Sequence, residues 1–314
     1  MLTAPQDHAA DLVVAELGRR DVPVVRMDAA DFPVRMRMAT TLDGTGWSGT
    51  LSDAHRTLDL DRVRAVYNRR PGLHVLPSGM SPPVAEYAMA QARDGFGGVL
   101  MALDGWVNHP ARNADASVKP WALAIAAECG FATPATLVTN DPAAVRAFAD
   151  QHGPVVCKPL RRPAIVEGGV VKAVYTRLLT VEDLADLTGI ETTAHLVQAY
   201  VPKSFELRVT VVDDQVFTAR VDAGSDAARI DWRADYDALT WRPCDLPGEL
   251  TAPVHAYMKA TGLVYGAFDF AVDQAGTPWY LECNPNGQFG WLIEAAGLPI
   301  HHALADVLQA GTAR

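Results

Sequence analysis

Four apolar or alternating runs in the last third of the chain constrain its fold more than any other feature. These runs, each of strand length and bounded by turn residues, are Phe205–Val212, Gln215–Asp222, Tyr265–Val272 and Pro278–Glu282. The first two flank Asp213-Asp214 and the last two flank Asp273–Gly276, so each pair has a connection short enough for an antiparallel hairpin. Helical patterns lie beside them near Ala252–Lys259 and His301–Gln309. The sequence therefore predicts a C-terminal antiparallel sheet with helices packed on it.

The residues before this sheet alternate between helical and strand patterns, which is typical of an α/β fold. In the first part, the predicted elements are a helix around Leu12–Leu17 capped by Asp7, strands at Val22–Met27 and Val63–Tyr67, and a helix at Val84–Leu103. In the middle part, they are a helix at Lys119–Cys129, a helix capped by Asp141, a strand at Pro154–Pro159, a helix opened by Thr180 and a strand at Thr193–Val201. We expect an α/β (α+β) fold with an N-terminal α/β domain at 1–112, a central subdomain at 113–201 and a C-terminal subdomain at 202–314.

The charge balance and composition exclude several functional classes. The chain has 37 acidic and 27 basic residues and a net charge of −10, so its surface repels nucleic acid. No apolar run reaches membrane-spanning length, and the N-terminus lacks a secretory signal pattern, which predicts a cytoplasmic protein without membrane contact. The four cysteines form no Cys-x-x-Cys pair and are predicted to be buried, reduced thiols. No Walker-type loop is present, and the glycines at Gly95–Gly98 lack dinucleotide-fingerprint spacing.

Acidic residues inside the last two predicted strands indicate a metal site. Asp269 projects away from the two phenylalanines that flank it, while Glu282 and Asn284 are two residues apart and share a face. On neighbouring strands these side chains would bring three oxygen ligands together, which suits Mg2+ bridging nucleotide phosphates. The alternative is an exposed Asp269 and a simple turn after Asn284, but acidic residues within such apolar strands favour the metal site.

Several cationic residues are candidates for binding an anionic substrate. Lys158 lies in a run that otherwise reads as a buried strand, where a lysine needs an anionic partner such as a phosphate. Arg233 lies beside a tryptophan and is suited to clamp carboxylate or phosphate oxygens. Glu206 and Arg208 alternate with apolar residues and give their strand a polar face. Lys119, near a helix start, would be an ordinary surface residue if it stood alone.

The order of these segments resembles the ATP-grasp superfamily. The segments that carry the resemblance are Lys119, Lys158-Pro159, Gln198–Val201, Glu206–Val209, Asp269-Phe270 and Leu281–Gln288. The chain is most similar to the ligases that macrocyclise ribosomal peptides, the microviridin and graspetide maturases, in their actinobacterial branch. The more specific motifs are Tyr67–Pro71, Asn108–Pro110, Asp231–Arg233 and Asn284–Trp291. The resemblance covers essentially the whole chain and implies an ATP-grasp fold behind an N-terminal pre-ATP-grasp domain.

The resemblance implies a role for each matching residue. The implied roles are phosphate binding by Lys119 and Lys158 under a loop at Gly168 and Gly169; adenine and ribose binding by Gln198, Ala199, Tyr200, Val201 and Glu206; Mg2+ binding by Asp269, Glu282 and Asn284; and stabilisation of the transferring phosphoryl group or the substrate carboxylate by Arg208 and Arg233. The main-chain groups of Ala199 and Val201 would read the adenine edge. The implied cofactors are ATP and Mg2+.

Three further arginines are candidates for peptide binding. Arg69 and Arg70 follow Tyr67 and, with Arg233, would form a local positive rim on this acidic chain; the alternative for Arg69-Arg70 is a salt bridge between domains. Arg220 stands where an apolar or small residue is expected. The chain also enters its first strand almost directly at Leu2, where similar enzymes have a longer one, so we expect a shortened edge strand or a misassigned start.

The implied activity is an ADP-forming ligation that proceeds through an acyl phosphate. It would make side-chain ester or amide crosslinks in a precursor peptide with a leader and an acidic, Thr-rich core, and the enzyme would act as a homodimer. One alternative is a ligase on the same fold that acts on a small molecule or a peptide tail, similar to glutathione synthetase or glutamate ligases. Another is a non-catalytic nucleotide-binding protein, against which the full set of lysines and metal ligands counts.

Overall fold

The structure of the chain is a computed structural model that describes residues 1–44, 46–161, 164–168 and 170–311, with only the backbone described at 164 and 166. The helices in this part of the chain are α1 (His8–Arg19), α2 (Pro82–Met101), α3 (Pro110–Ala116), α4 (Lys119–Glu128), α5 (Pro142–His152), α6 (Val181–Ala185), α7 (Asp226–Ile230), α8 (Gly248–Thr261), α9 (Gly290–Ala296) and α10 (Ile300–Ala310). The strands are β1 (Leu2–Thr3), β2 (Arg37–Leu42), β3 (Trp47–Ser52), β4 (Thr57–Asp59), β5 (Val66–Arg70), β6 (Trp106–Val107), β7 (Thr136–Thr139), β8 (Val155–Lys158), β9 (Ala164–Glu167), β10 (Val170–Ala173), β11 (Arg177–Leu178), β12 (His195–Ala199), β13 (Lys203–Val212), β14 (Gln215–Ala223), β15 (Leu239–Pro243), β16 (Tyr265–Asp273) and β17 (Pro278–Asn284). This mixture confirms the predicted α/β class.

The N-terminal region is built on a parallel three-stranded sheet in the order β1-β5-β6. Val66 of β5 packs with Phe96 of α2, whereas the next residue, Tyr67, packs with Val13 of α1, so the two helices cover opposite faces. The predicted cap of α1 is confirmed, because the Asp7 carboxylate accepts a hydrogen bond from a first-turn main-chain N–H. An antiparallel meander, β2-β3-β4, lies beside this sheet.

Two strand predictions in this region need correction. Val22–Met27 forms no strand, and only Met27 makes a β-bridge, to Leu2. Because β1 is two residues long, no partner is available to extend that bridge into a ladder. The strand predicted at Val63–Tyr67 begins three residues later, so the basic segment up to Arg70 lies within β5 and not after it.

The central region holds a four-stranded antiparallel sheet in the order β11-β8-β12-β7 and a separate hairpin, β9-β10. Val145 of α5 packs on Val155 and Val197 of this sheet. The predicted helix caps are confirmed: the Asp141 side chain caps α5, and Thr180 forms a capping box on α6.

The C-terminal region is a five-stranded antiparallel sheet in the order β15-β14-β13-β16-β17. The antiparallel sheet and four of its strands are as predicted, whereas β15 was not predicted. Leu207 and Phe268 face α4 and α8, whereas Val212 and Ala267 face α1, α9 and α10. Helices therefore cover both faces. Arg208 of β13, Asp269 of β16 and Glu282 of β17 lie on the second face.

The four cysteines differ in their exposure. Cys283 is buried and Cys129 and Cys157 are half-buried, but Cys244 is exposed, so its predicted burial is wrong.

Among the described residues, no helix is both long and apolar enough to cross a membrane.

Candidate functional site

Two carboxylates lie side by side near the edge of the C-terminal sheet. Asp269 on β16 is paired directly with Glu282 on β17, so both side chains project from the same face. Asn284, two residues further along β17, projects from that face as well. The structure therefore brings together the three side chains that the sequence proposed as metal ligands.

The guanidinium of Arg233 lies between these carboxylates. Its Nη2 atom is 2.5 Å from Glu282 Oε1 and 3.3 Å from Asp269 Oδ2. Asp231 holds the short turn that carries Arg233, because its Oδ1 accepts the Arg233 main-chain N–H at 3.1 Å. Burial would lower the pKa of Arg233, but the carboxylates of Glu282 and Asp269 outweigh it and raise that pKa. The space between the two carboxylates thus attracts and holds a cation.

Arg208 lies behind Asp269 and is almost fully buried. Its Nη1 atom donates to Asp269 Oδ1 at 2.9 Å, and its Nη2 atom donates to the Gln288 carbonyl at 3.2 Å. It does not line the cavity described below. The arginine therefore fixes Asp269 from beneath, and the phosphoryl- or carboxylate-binding role implied by the resemblance stays a prediction.

Two lysines complete the cationic part of the site, and one of them, Lys119, contacts a carboxylate directly. Lys119 Nζ is 3.3 Å from Glu282 Oε2 and donates to the Pro159 carbonyl at 2.8 Å. Lys158 Nζ donates to Gln198 Oε1 at 2.6 Å, and burial lowers the pKa of this lysine to about 8. Burial would raise the pKa of Glu282, but Arg233 and the two lysines lower it to about 2, so it is ionised at neutral pH.

Lys203 belongs to this site although the sequence analysis did not single it out. Its Nζ atom is 2.7 Å from Glu206 Oε1, and both side chains are nearly buried. Strict alternation along β13 would place Lys203 on the face of Phe205, opposite to Glu206. A register shift between Lys203 and Phe205 breaks that alternation and turns the lysine to the polar face. An unpaired bulge of this kind leaves no signal in the residue pattern.

The predicted adenine hinge, Gln198–Val201, begins in the last two residues of β12 and continues beyond it. The Ala199 N–H donates to the Ala135 carbonyl and the Tyr200 N–H to the Pro154 carbonyl, both at 2.9 Å. Since the Ala199 N–H is engaged by the protein, a nucleotide would have to use other main-chain groups of this segment, such as those of Val201. The hinge role stays a prediction.

The predicted phosphate loop lies at the β9-β10 turn. Gly168 is exposed there with φ +58°, a backbone conformation that favours glycine. Gly169 lies outside the described residues. The segment after β10 reaches the site, because the Thr176 N–H donates to Asp231 Oδ2 at 3.1 Å.

The proposed positive rim does not include Arg69, whose side chain is fully buried. Arg69 Nη1 donates to the carbonyl and the side-chain oxygen of Asn286 at 2.7 and 2.8 Å, and its Nε atom is 3.6 Å from Asp7 Oδ2. Arg69 therefore connects the two predicted domains through hydrogen bonds and not through the salt bridge of the alternative, because its ionic partner Asp7 lies in its own predicted domain. Arg70, the next residue along β5, points the other way and is exposed, so it remains a candidate for peptide contact.

Arg220 lies on the opposite face of the sheet from the carboxylates. It is paired with Leu207, whose side chain packs towards α4 and α8, whereas Arg208 projects from the face of Asp269. The Arg220 guanidinium carbon is 3.8 Å from the centre of the Phe205 ring, and its Nη2 atom is 2.7 Å from Asp222 Oδ1. Because the sheet separates Arg220 from the carboxylates, any peptide contact of this residue would lie away from them, and its role in peptide binding stays a prediction.

A cavity of about 560 Å3 joins the central and C-terminal sheets at this point. The polar residues of the site that line it are Lys119, Lys158, Gln198, Lys203, Glu206, Arg233, Asp269, Glu282 and Asn284. A cluster of cations facing carboxylates suits a polyanion bound together with a divalent ion.

The residues fit Mg2+ as a cation shared with phosphate oxygens. Within the described ranges, no group of three or more His, Cys, Asp or Glu side chains could hold a metal ion by itself. The donors at this site are two carboxylates and the amide of Asn284, and a guanidinium already bridges the carboxylates. Mg2+ typically keeps few protein ligands and takes the rest from water and substrate phosphates, as this set requires.

Two protein-family models match the chain, one on each side of residue 120. Residues 1–114 match the MvdD pre-ATP-grasp domain, and residues 125–273 match the ATP-grasp domain of prokaryotic glutathione synthetase. The search of curated proteins found no match.

Solved structures resemble the chain over nearly its whole length. A RiPP-associated ATP-grasp ligase from Chryseobacterium gregarium, in complex with ADP and a leader and core peptide, is 28% identical with a TM-score of 0.90, covering 99% of this chain and 96% of that one. The macrocyclase MdnC from Microcystis aeruginosa MRC, bound to its precursor peptide MdnA, is 31% identical with a TM-score of 0.87, covering 99% of both chains. The ATP-grasp ligase PsnB, complexed with a minimal precursor, Mg and ADP, shares the fold at 24% identity and a TM-score of 0.76, covering 99% of this chain and 96% of that one.

These likenesses confirm the ATP-grasp fold and the resemblance to peptide maturases, whereas the actinobacterial branch and the domain boundaries stay predictions. At 31% identity across 99% of both chains, the likeness to MdnC spans the N-terminal region and the carboxylate site alike. The chain belongs to the RiPP-associated ATP-grasp ligases, a family of ATP-dependent enzymes.

Proposed function

We propose that this chain uses ATP and Mg2+ to form side-chain ester or amide crosslinks in a ribosomally made precursor peptide. The observation that carries the proposal is one cavity in which Asp269 and Glu282 face Arg233, Lys119 and Lys158. The relatives support it, since MdnC was solved with a precursor peptide and the Chryseobacterium gregarium ligase with ADP and a leader and core peptide.

The proposed chemistry has two steps. A side-chain carboxylate oxygen of a peptide Asp or Glu attacks the γ-phosphorus of ATP, the bond from that phosphorus to the bridging oxygen breaks, and ADP leaves an acyl phosphate behind. A Ser or Thr hydroxyl or a Lys amine of the same peptide then attacks the acyl carbon. Phosphate leaves, and the proton of the nucleophile passes to it or to solvent. Each crosslink therefore converts one ATP to ADP and phosphate and removes one water from the peptide.

The residues of the chain would bind and orient both reactants. Lys119 and Lys158 would hold the phosphates, and Arg233 would meet either the phosphoryl oxygens or the substrate carboxylate. Fixed positive charge of this kind supplies most of the catalysis in phosphoryl transfer. Asp269, Glu282 and Asn284 would hold Mg2+, which would supply positive charge to neutralise the phosphate oxygens. Enclosure of the cavity would limit hydrolysis of the acyl phosphate by water.

The buried pair Lys203–Glu206 would take part in nucleotide binding. Glu206 would accept hydrogen bonds from the ribose, as the resemblance implies. Burial raises the pKa of Glu206, opposed by Lys203, so the lysine helps to keep this carboxylate in its accepting form. Gln198, which bonds Lys158, would align that lysine with the phosphates.

The substrate we propose is a leader peptide joined to an acidic, Thr-rich core. Arg70 is exposed and would contribute to peptide binding together with Arg233. We further expect a cytoplasmic enzyme that acts on no nucleic acid, and a homodimer is the oligomeric state to test.

One alternative has an observation in its favour. Residues 125–273 match the ATP-grasp domain of glutathione synthetase, so a small molecule or a peptide tail could be the acceptor. The N-terminal match to the MvdD pre-ATP-grasp domain and the full-length likeness to MdnC favour the precursor peptide.

The test is to incubate the purified chain with ATP, Mg2+ and the precursor peptide encoded beside its gene. The expected products are ADP, phosphate and a peptide that has lost one water for each crosslink. A Glu282→Gln variant serves as the matched control. Formation of AMP and pyrophosphate would indicate adenylate chemistry and overturn the proposal, and absence of ADP release would favour a non-catalytic nucleotide-binding protein.

A further inference from the structure

A turn beside the proposed metal site is held by buried side chains from two domains. The turn, Pro285–Gln288, follows directly on Asn284 at the end of β17. Each of its four carbonyls accepts a hydrogen bond from a different buried side chain. For carbonyls 285 to 288 in order, the donors are Asn108 (2.8 Å), Arg69 (2.7 Å), the Tyr265 hydroxyl (2.9 Å) and Arg208 (3.2 Å).

Arg69 makes the most extensive contact with this turn. Besides the two bonds to Asn286, its Nη2 atom donates to Gln288 Oε1, and Asn286 Nδ2 donates back to the Arg69 carbonyl. A fully buried guanidinium is costly to desolvate, and an apolar pair would often fill such a space with no loss of stability. Stability alone therefore does not account for Arg69.

Asn108 joins the same turn to the start of β16. Its Nδ2 atom donates to the carbonyls of Pro285 and Tyr265, the latter at 2.7 Å, and its Oδ1 atom accepts the main-chain N–H groups of Val264 and Tyr265 at 2.7 and 2.8 Å. The buried side-chain amide of Asn108 thus fixes the position of the turn after β17 relative to β16, the strand that carries Asp269.

The turn also orients Asn284, one of the proposed metal ligands. The Asn286 N–H donates to Asn284 Oδ1 at 3.0 Å, so the position of Asn286 determines where that oxygen points. Gly287 leaves little room for adjustment, because a Cβ there would lie 2.6 Å from Ala267 Cβ and from Arg208 Nη2. The contacts therefore run without interruption from the N-terminal domain to Asn284.

We propose that Arg69 and Asn108 are positioning residues through which the N-terminal domain sets the geometry of the metal site. Arg69 acts through Asn286 on Asn284, and Asn108 acts through Pro285 on the same strand end. The inference rests on the proposed role of Asn284 in holding Mg2+. It makes the N-terminal domain a determinant of the geometry of the metal site, in addition to any contact it makes with a peptide.

The experiment measures the affinity for ADP by calorimetry, with Mg2+ and with EDTA, in the full-length protein. The ratio of the two affinities reports on the metal site and not on folding. We expect Arg69→Lys to lower this ratio about tenfold, the scale of losses when the partners of metal ligands are changed. The affinity in EDTA should stay unchanged. Asn284→Ala provides the reference for loss of the ligand itself.

The matched control is Arg20→Lys. Arg20 also joins the N-terminal domain to the C-terminal one, since it bonds Glu16 of α1 at 2.7 Å and Asp306 of α10 at 2.5 Å, but its contacts do not include the turn. An equal loss in Arg20→Lys would mean that general loosening of the domain contact is responsible, which would overturn the inference.

A second variant keeps the test decisive should Arg69→Lys fail to fold. Gln288→Met removes one acceptor of Arg69 at a half-buried position, and we expect it to lower the ratio in the same direction. If Asn284→Ala lowers the ratio but neither of these variants does, the positioning inference is wrong and the metal assignment stands. If Asn284→Ala leaves the ratio unchanged, the positioning inference and the assignment of Asn284 as a metal ligand are both wrong.

Discussion

Arg208 and Arg220 lie on adjacent strands, and each pairs with an aspartate, but they project from opposite faces of the sheet. Arg208 is 2.9 Å from Asp269, with both side chains 5% exposed, whereas Arg220 is 2.7 Å from Asp222, with side chains 38% and 29% exposed. The two pairs are alike in distance and in chemistry. They differ in how much water reaches them.

This difference separates a site from a surface feature. Without water, Arg208 and Asp269 interact strongly, and neither can lose its partner without leaving a buried charge. Asp222 is shared with Arg242 as well as Arg220, and solvent screens all three. The buried pair can therefore hold a carboxylate in a fixed orientation for a metal or phosphate, whereas the exposed pair cannot.

The largest expected effect is on the buried carboxylates. Asp269→Asn or Glu282→Gln should lower crosslinking and ADP release by about 10^2- to 10^3-fold or more, because each removes a charged ligand of the Mg2+ that would neutralise the transferring phosphoryl group. Asp222→Asn should leave both rates unchanged. Rates measured with one precursor peptide check the comparison. Near-normal turnover in a folded Asp269→Asn/Glu282→Gln double variant would refute the assignment of the site.

Stability should separate the same two faces. Arg208→Met leaves Asp269 buried with only the longer contact to Arg233 at 3.3 Å and should lower the free energy of unfolding by about 3 kcal/mol. Arg220→Met, at a solvent-screened pair, should lower it by less than about 1 kcal/mol. Urea unfolding of both variants gives the two values. Equal losses would mean that the two pairs are energetically alike, and burial would not be what distinguishes them.

Alternation predicted much of this site from the sequence alone. The pairs of strands and the shared face of Glu282 and Asn284 follow from a period of two, and so does the position of Asp269 opposite its phenylalanine neighbours. Both hairpins of this sheet could also be predicted, because their connections contain residues that favour turns. These features depend on local geometry, which a single sequence carries.

Features that depend on burial or on irregular backbone were not predictable. Arg69 and Arg70 are adjacent basic residues, yet one is fully buried and the other exposed, and only the packing of β5 between two domains decides which. Lys203 reaches Glu206 because a register shift interrupts β13. Arg220 has the same polar character as Arg208, and its distance from the site appears only once the two faces of the sheet are assigned.

The side chain of Arg233 is 34% exposed, an exposure between those of Arg208 and Arg220. Arg233 therefore extends the comparison of buried and exposed arginines to peptide binding. Arg233→Glu should weaken precursor affinity about 10- to 100-fold, the range for hydrogen bonds to charged groups, with ADP affinity less affected. Arg70→Glu should act in the same direction but more weakly, and more so at low salt, since its charge is exposed. Peptide affinity of each variant at low and high salt is the measurement. Unchanged affinity in both variants would leave these arginines as structural.

The smallest expected effect concerns a half-buried cation that lacks a directly bonded carboxylate. Lys158 Nζ donates to the neutral amide of Gln198, and burial lowers the pKa of this lysine from 10.5 to about 8. Arg208, by contrast, keeps its charge because Asp269 outweighs the effect of its burial and raises its pKa. Lys158 should therefore be the group that titrates first as the pH rises, since the pKa of Glu282 is about 2 and it stays ionised throughout.

The direction of the pH effect on ATP affinity depends on which protonation state of Lys158 binds phosphate, and this is the charged ammonium. Below pH 8 the ammonium is charged and ATP affinity should be constant; above pH 8 the free protein loses this proton, and binding must restore it. Affinity should then fall by up to about tenfold for each pH unit above 8. Calorimetry in buffers of different ionisation enthalpy should show proton uptake in that window. Lys158→Arg, which stays charged, should bind with no such slope and no uptake, because its guanidinium does not titrate in this range. The same slope in both proteins would mean that another group titrates, and that the ammonium of Lys158 does not contact the phosphates.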